Sequence, residues 1–290
     1  MFTDRSLDHF VVFVHDLGLA AAAWRRLGFT VMPIMEHVTI GTSNAIVQFE
    51  RTYLELLGDL EHCRNAPLQE NLRRCFPSFD GYYMTSFTSN LLEPDYEALK
   101  AAGIDIKLPN GASRRVRLPV GGWIDTASRS MYAFNAQRPR MSLFRSDHPK
   151  PEAIWIPDYQ AHANSAIDVV TIHHAAQDVG QDVDFFGTLM DGRPAEQSRE
   201  RVVFRTALGQ SMEIHAVDAA RRRWPEFTGL QGGEPAHGIG MSIRARSLAQ
   251  VRRVLRDAGV PHRVTERAIV VPPSHANGLF VEFVEESYQP

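Results

Sequence analysis

Two polar residues lie inside strongly apolar segments, where their side chains could do chemistry. His9 precedes the run Phe10-Val11-Val12, and Glu55 lies between Leu54 and Leu56-Leu57. An unpaired polar group buried in an apolar strand costs about 2–7 kcal/mol, so both side chains need partners. An imidazole and a carboxylate that face one cleft can bind a divalent metal ion such as Zn²⁺, Fe²⁺, Mn²⁺ or Ni²⁺. Alternatively, the two side chains pair with each other, or Glu55 faces solvent through strand alternation.

The segments around these residues repeat along the chain. The first unit has a β-rich run at residues 7–14, an N-cap at Asp16, a helix that ends before Gly28, and three strand-like runs up to residue 57. Three further units follow the same order. The second unit is predicted to have a first strand at 82–88, a helix at 94–102, and later strands at 106–108 with 116–118, at 130–135 and at 141–144. The third has a first strand at 167–173, a helix at 178–189, and later strands at 201–206 and 211–216. The fourth has a first strand at 238–243, a helix at 247–259, and later strands at 268–271 and 279–284.

Glycine followed by an apolar residue ends three of the four predicted helices, at Gly28-Phe29, Gly103-Ile104 and Gly259-Val260. A left-handed cap that turns the chain back into a strand explains this pattern. Two or three strands with short turns follow each helix, which favours an α+β fold of repeated βαβββ modules over parallel α/β alternation. The proline-rich stretch 147–157 predicts a linker, and hence halves at residues 1–150 and 151–290 with two modules each.

A set of short motifs in the first unit resembles glyoxalase-like proteins of the vicinal oxygen chelate superfamily. The motifs occur in a fixed order, and they are Leu7-Asp8-His9, Asp16-Leu17, Leu27-Gly28-Phe29, His37, Gly41-Thr42-Ser43-Asn44-Ala45 and Tyr53-Leu54-Glu55-Leu56-Leu57. The resemblance covers about residues 7–57, and the rest of the chain shares the modular pattern. It implies paired βαβββ modules that form half-barrel, mixed or antiparallel sheets around a cleft. Members include lyases, isomerases, extradiol dioxygenases and metal-free binding proteins, so the fold does not identify the reaction.

The resemblance also suggests roles for individual residues. It implies that ligands lie on the first and last strands of a module, which His9 and Glu55 occupy. His37 is the candidate catalytic residue, which would orient substrate or move a proton, and Asn44 is the candidate substrate-binding residue. In the second module Thr85, Ser86 and Ser142 are poor ligands. A third ligand is therefore expected among three histidines elsewhere in the chain, namely His37, His148 and His162.

The second half contains similar residue types. Glu213 and Glu282 fall on predicted last strands, and His173 and His237 fall near first strands. A set of His173, His237 and Glu282 would resemble the metal site of two-domain extradiol dioxygenases. Aligning the module helices, however, places Gly240 at the ligand position instead of His237. We therefore expect a second half that duplicates the fold without that site.

Composition narrows the cellular setting and the partners. A net charge of −3 with a pI near 6.5 gives no electrostatic case for nucleic acid or an anionic membrane. The short clusters Arg114-Arg115 and Arg221-Arg222-Arg223 are interpreted as solvated faces. Two cysteines without CxxC spacing, no signal-peptide pattern and no long apolar run predict a cytoplasmic protein. A small-molecule substrate is the expected partner, and a homodimer remains an option.

Two function classes follow from these observations. The first is a metal-dependent glyoxalase-like enzyme, a lyase, isomerase or extradiol dioxygenase, in which the ion binds adjacent oxygens of a small oxygenated organic substrate. The second is a metal-free protein that binds or sequesters an aromatic or hydrophobic molecule in the same cleft. Four aromatic residues would then line the pocket, namely Tyr82, Tyr83, Phe87 and Trp123.

Overall fold

The computed structural model describes residues 5–107 and 110–285 and contains two large curled sheets. The elements of the first half are β1 (Leu7–Phe13), α1 (Leu17–Arg26), β2 (Met35–Glu36), β3 (Ser43–Gln48), β4 (Tyr53–Gly58), α2 (Ala66–Cys75), β5 (Gly81–Thr88), α3 (Leu92–Ala101), β6 (Asn110–Ala112), β7 (Arg115–Arg117), β8 (Trp123–Asp125), β9 (Ser128–Ala133) and β10 (Leu143–Asp147). Those of the second half are β11 (Ala166–Ala176), α4 (Val183–Leu189), β12 (Glu196–Gln197), β13 (Arg201–Arg205), β14 (Ser211–Ala216), α5 (Val217–Arg223), β15 (Ala236–Ala245), α6 (Leu248–Asp257), β16 (Arg263–Val264), β17 (Ala268–Val271) and β18 (Phe280–Glu285).

Each sheet joins two βαβββ modules through their first strands. The order is β2-β3-β4-β1-β5-β10-β9-β6 in the first sheet and β12-β13-β14-β11-β15-β18-β17-β16 in the second. In both sheets the first strand of a module runs parallel to its last strand, and the two first strands run antiparallel. The predicted α+β fold of four modules in half-barrel sheets is therefore confirmed. The domain boundary between residues 150 and 151 stays a prediction.

Helix ends follow the local signals in the sequence. The side chain of Asp16 accepts a hydrogen bond from Leu19 N, as an N-cap does. Gly28, Gly103 and Gly259 all have positive φ, at 89°, 79° and 64°, where a side chain would be strained. These caps turn three of the four module helices back toward their sheets, as the Gly-apolar pattern predicts.

Some elements differ from the prediction. A strand-like run is predicted at residues 29–35, but residues 29–34 are not a strand, and β2 is confined to Met35–Glu36. Two helices, α2 and α5, were not predicted, because polar and Arg-rich stretches hide their apolar faces. Of the predicted strand 106–108, only an isolated bridge at Ile106 is present, and Leu108 lies outside the described residues. In the described ranges, no helix is both long and apolar enough to cross a membrane.

The two halves share one core. Phe29, after α1, stacks on Phe283 of β18 with ring centroids 5.8 Å apart, and the indole N–H of Trp24 donates to Asn277 Oδ1 at 3.0 Å. His162 adds a polar tie to the first half. Its Nδ1 accepts from Thr30 N at 3.0 Å, and its Nε2 donates to the carbonyl of Gln48 at 2.8 Å. The segment before β11 is therefore fixed onto the first half.

His162 makes stability depend on pH. Both ring nitrogens are satisfied only in the neutral form, and burial lowers the pKa of His162 from 6.5 to about 4. The unfolded chain binds a proton first, so this contribution is complete above the unfolded pKa and is lost as pH falls from 6.5 to about 4. We expect thermal melts at about pH 7 and about pH 4.5 to show about 2–3 kcal/mol less acid destabilisation in His162→Gln than in the wild type. Leu208→Gln, at an exposed side chain that does not titrate, should keep the wild-type pH dependence, and equal pH dependence in all three proteins would contradict this role.

Candidate functional site

A cavity of about 520 Å³ opens on the curled face of the first sheet. That volume is in the range of small-molecule sites. One end of the cavity is polar and contains His9, His37, Asn44, Glu55, Arg114 and His148. Apolar and aromatic side chains also line the cavity, among them Val11, Leu57, Tyr83, Met84 and Phe144. The four predicted site residues therefore share one cavity.

The sheet holds His9 in a fixed orientation. His9 pairs with Tyr53 on β4 and with Ser86 on β5, and its ring stacks on Tyr53 with centroids 4.2 Å apart. The edge of the ring meets Phe144 at 5.0 Å. The register between β1 and β5 shifts between Leu7 and His9, as a β-bulge does. We attribute to this bulge the position of the Asp8 side chain beside His9, although successive residues of a regular strand point to opposite faces.

The Asp8 carboxylate is fully buried and contacts two imidazoles. It bonds to His9 Nδ1 and, at 3.0 Å, to His148 Nε2. Burial raises the pKa of Asp8, but the charges and hydrogen bonds of His148 and His9 outweigh it and hold that pKa well below its usual range. An ionised carboxylate only accepts, so both nitrogens that touch it carry protons. In neutral His9 the proton is therefore on Nδ1, and the Nε2 lone pair faces the cavity.

Glu55 lies opposite that lone pair. β4 is the parallel neighbour of β1, and Glu55 Oε2 is 3.8 Å from His9 Nε2. This separation is too long for a hydrogen bond. Burial raises the pKa of Glu55, but the hydrogen bond and charge of His37, together with His9 and Asn44, lower it to about 2. The predicted convergence of an imidazole and a carboxylate from adjacent strands is confirmed.

His37 and Asn44 hold the other oxygen of Glu55. Asn44 Nδ2 donates to Glu55 Oε1 at 2.7 Å, and His37 Nε2 is 3.3 Å from the same oxygen. Arg114 donates to Asn44 Oδ1 at 3.0 Å and so fixes the orientation of the amide. His37 Nδ1 is 2.9 Å from the hydroxyl of Thr42. The roles of His37 in catalysis and of Asn44 in substrate binding stay predictions.

Of the three candidates for a third ligand, His37 and His148 line the cavity and His162 does not. The ligand atoms of Asp8, His9 and His148 lie within 4.8 Å of one another. Ser86, which pairs with His9, donates to the hydroxyl of Ser146 at 2.8 Å, and its neighbour on β10 is Phe144. Ser142 precedes β10 and bonds Asn135 N instead.

The structure corrects the interpretation of both arginine clusters. Arg114 is buried at the cavity, while Arg115 is exposed. Arg223 lies within 4 Å of Glu213 and Glu282, while Arg221 and Arg222 are largely exposed. Arg114 was not predicted as a site residue, because strand 116–118 was predicted without its hairpin partner β8. Asp8 was also missed as a site residue, although it stands beside His9 in the chain.

Of the four aromatic residues predicted to line a metal-free pocket, only Tyr83 does so, and the prediction is wrong for the other three. Tyr82 bonds the hydroxyl of Thr85 at 2.8 Å and packs on His174, and Phe87 belongs to the shared core. Trp123 is 52% exposed on the hairpin. Tyr53, Tyr132, Phe134 and Phe144 line the cavity instead.

As expected, the side chains of His173, His237 and Glu282 do not converge on one point in the second half. Gly240 pairs with His173, and His237 pairs with Ala175. The ring nitrogens of His237 contact backbone atoms, Gln231 N and the carbonyl of Gly238, both at 2.8 Å. The metal site of extradiol dioxygenases is therefore not reproduced there by these residues.

The chain is similar to known proteins in sequence pattern and in fold. The family model of the glyoxalase-like domain matches residues 7–189. No curated protein matches the sequence. Similar solved structures include a hypothetical protein from Staphylococcus aureus, with a TM-score of 0.65, 12% identity, and coverage of 96% of this chain and 98% of that chain.

Two further structures are similar at a TM-score of 0.61. One is a mutant of 4-hydroxymandelate synthase from Streptomyces coelicolor, at 11% identity over 99% of this chain and 94% of that chain. The other is a xylose isomerase-like TIM barrel/4-hydroxyphenylpyruvate dioxygenase fusion protein, at 10% identity over 99% of this chain and 49% of that chain. At these identities the likeness concerns the fold. Since the family model covers more than half of the residues, the chain belongs to the glyoxalase-like family of the vicinal oxygen chelate superfamily.

Proposed function

We propose that the cavity of the first half is the active site of a metal-dependent enzyme, a lyase, isomerase or extradiol dioxygenase. Its substrate would be a small organic molecule with adjacent oxygens. One observation carries the proposal. His9 Nε2 and Glu55 Oε2 face each other at 3.8 Å in the cavity, and Asp8 holds the proton of neutral His9 on the other ring nitrogen. Two electron-pair donors at this separation call for a cation between them.

The donor set fits a divalent ion. An imidazole nitrogen and a carboxylate oxygen suit Zn²⁺, Fe²⁺, Mn²⁺ or Ni²⁺, and a carboxylate that orients a ligating histidine is a common feature of metal sites. His9 and Glu55 would hold the ion, with His37 or His148 as a further ligand. When bound, the ion would supply Lewis-acid polarisation of substrate oxygens.

The surrounding residues would bind the substrate and move a proton. His37 Nε2 is 3.3 Å from Glu55 Oε1 and 3.0 Å from Asn44 Nδ2, at the polar end of the cavity. This position suits a group that accepts a proton from bound substrate. Arg114 places positive charge beside Asn44, which favours a substrate with anionic or strongly polar oxygens. Val11, Met84 and Phe144 would cover its carbon skeleton and exclude water.

A second candidate is a metal-free binding protein with the same cleft. This candidate is favoured by the residues beside His9 on the neighbouring strands. Ser86 on β5 and Phe144 on β10 occupy these positions, and neither side chain is a strong metal ligand. In that case His9 and Glu55 would only orient a polar group of the bound molecule.

Metal content separates the two candidates. We expect the purified wild type to hold about one equivalent of metal in the first site after reconstitution with Zn²⁺, Mn²⁺, Fe²⁺ or Ni²⁺. His9→Ala and Glu55→Gln should each lose that equivalent by elemental analysis, because each removes one of the two facing donors. His62→Ala, at an exposed histidine, is the matched control. Wild type and His9→Ala with the same metal content would refute the enzyme proposal and favour the metal-free candidate.

Asp8 should act through His9. Asp8→Asn keeps the size of the side chain but permits the amide to donate, so the His9 proton is no longer held on Nδ1. We expect metal affinity to fall about 10–100-fold, as it does when the carboxylate behind a ligating histidine is removed. Competition with a chelator measures the affinity, and the exposed Asp105→Asn is the control. Unchanged affinity in a folded Asp8→Asn protein would show that this carboxylate does not orient a ligand.

A further inference from the structure

The second sheet contains a buried cluster of metal-ligating side chains far along the chain from the first site. His173 is on β11, and Glu213 and His215 are on the adjacent parallel strand β14. The register pairs His173 with Glu213 directly. All three side chains are at most 5% exposed. The family resemblance names only His173 among them, in a set with His237 and Glu282 that the structure does not bring together, and the proposed function uses none of the three.

The three inward atoms form a compact triangle. His173 Nδ1 is 3.2 Å from His215 Nε2, and Glu213 Oε2 is 3.1 Å from His215 Nε2 and 3.8 Å from His173 Nδ1. Ligands bound to one ion at about 2.0–2.2 Å lie about 3–3.6 Å from each other in tetrahedral or octahedral geometry. The triangle therefore has nearly the dimensions that a single transition-metal ion requires.

Hydrogen bonding determines which nitrogen of His173 carries a proton. Ser242 donates its hydroxyl proton to Glu282 Oε2 at 2.6 Å, because a carboxylate accepts. The Ser242 oxygen, 2.8 Å from His173 Nε2, must then accept the Nε2 proton. In the neutral ring that a metal ligand requires, this leaves Nδ1 without a proton. The Nδ1 of His173 therefore presents a lone pair toward the triangle.

Glu213 strengthens the case. Its buried Oε2 is 3.1 Å from His215 Nε2, and in the described part of the chain no other donor lies within hydrogen-bonding distance of it. The guanidinium groups of Arg223 and Arg201 are 3.6 and 3.7 Å away, beyond hydrogen-bonding distance. The triangle of His173 Nδ1, Glu213 Oε2 and His215 Nε2 therefore contains at most one proton, that on His215 Nε2.

We propose that His173, Glu213 and His215 form a second metal site, selective for a divalent transition-metal ion such as Zn²⁺. Its role is structural, because aromatic rings enclose it. Trp224 packs on His173 with centroids 4.5 Å apart and on His215 at 5.0 Å, and Phe280 stacks on Trp224 at 4.4 Å. The bound ion ties β11 to β14 at the base of α5. This proposal is independent of the first site.

The second site is not the first site repeated. The strand pairing makes Thr171, opposite Ser211, the counterpart of His9 opposite Tyr53. His173 corresponds to Val11, two residues further along the strand, since Val11 pairs with Glu55 as His173 pairs with Glu213. Glu213 therefore occupies the register position of Glu55, whereas His173 lies two residues further along its strand than the counterpart of His9, and His215 lies two residues beyond Glu213.

Elemental analysis of a variant without the first site tests the proposal. His9→Ala protein, reconstituted with Zn²⁺ and dialysed, is expected to hold about one equivalent, and Co²⁺ in its place should give visible d–d absorption. Adding Glu213→Gln or His215→Gln should remove both signals, while His275→Gln, at a histidine outside both clusters, should keep them. Arg201→Gln should bind Zn²⁺ several-fold more tightly, because it removes a nearby positive charge.

The outcomes separate the two sites. His9→Ala protein that is folded by circular dichroism yet holds no Zn²⁺ would overturn the second site and leave the first intact. Zn²⁺ that persists in both folded double variants, or Arg201→Gln with weaker Zn²⁺ binding than its parent, would also overturn it. Should Glu213→Gln fail to fold, the Co²⁺ spectrum of His9→Ala decides the question, since no Co²⁺ absorption means no site. If the wild type holds one equivalent of Zn²⁺ and His9→Ala holds the same amount, the result would support the second site and refute the first.

Discussion

The polar end of the cavity depends on one buried carboxylate. Asp8 is surrounded by apolar strands, and it bonds to both His9 and His148. An ionised group in such a place is stable only because both imidazoles donate to it. That requirement sets the tautomer of neutral His9 and directs its free lone pair toward Glu55. We attribute this arrangement to the bulge in β1, which allows the side chains of the consecutive residues Asp8 and His9 to lie beside each other.

The same architecture serves the two halves differently. In the first half the curled sheet encloses a cavity with a polar end and apolar lining residues. In the second half, Trp224, Phe227 and Phe280 pack on the corresponding sheet and form an apolar cluster with Ala175 and Ile239. The strand order is the same in both halves, whereas the side chains at each register position decide whether a cleft remains. A fold shared with dioxygenase-type structures therefore leaves the reaction of this chain open to the tests above.

The sequence was sufficient for the modular fold because its signals are local. Asp16 caps a helix, Gly28, Gly103 and Gly259 end helices, and both kinds of signal act within one turn of the chain. It was also sufficient to bring His9 and Glu55 together, because parallel first and last strands follow from the module. Arg114 could not be predicted, since its burial depends on a hairpin that packs over a distant part of the sheet. Asp8 was missed because strict strand alternation places it on the opposite face from His9, and a bulge has no simple sequence signature.

The most direct test of the central claim is a crystal structure of the metal-reconstituted protein, with anomalous scattering recorded at the absorption edge of the bound metal. We expect an anomalous peak between His9 Nε2 and Glu55 Oε2, with Asp8 still bonded to His9 Nδ1. A cavity without such a peak at full reconstitution, or His9 with its Nε2 turned toward Asp8, would contradict it.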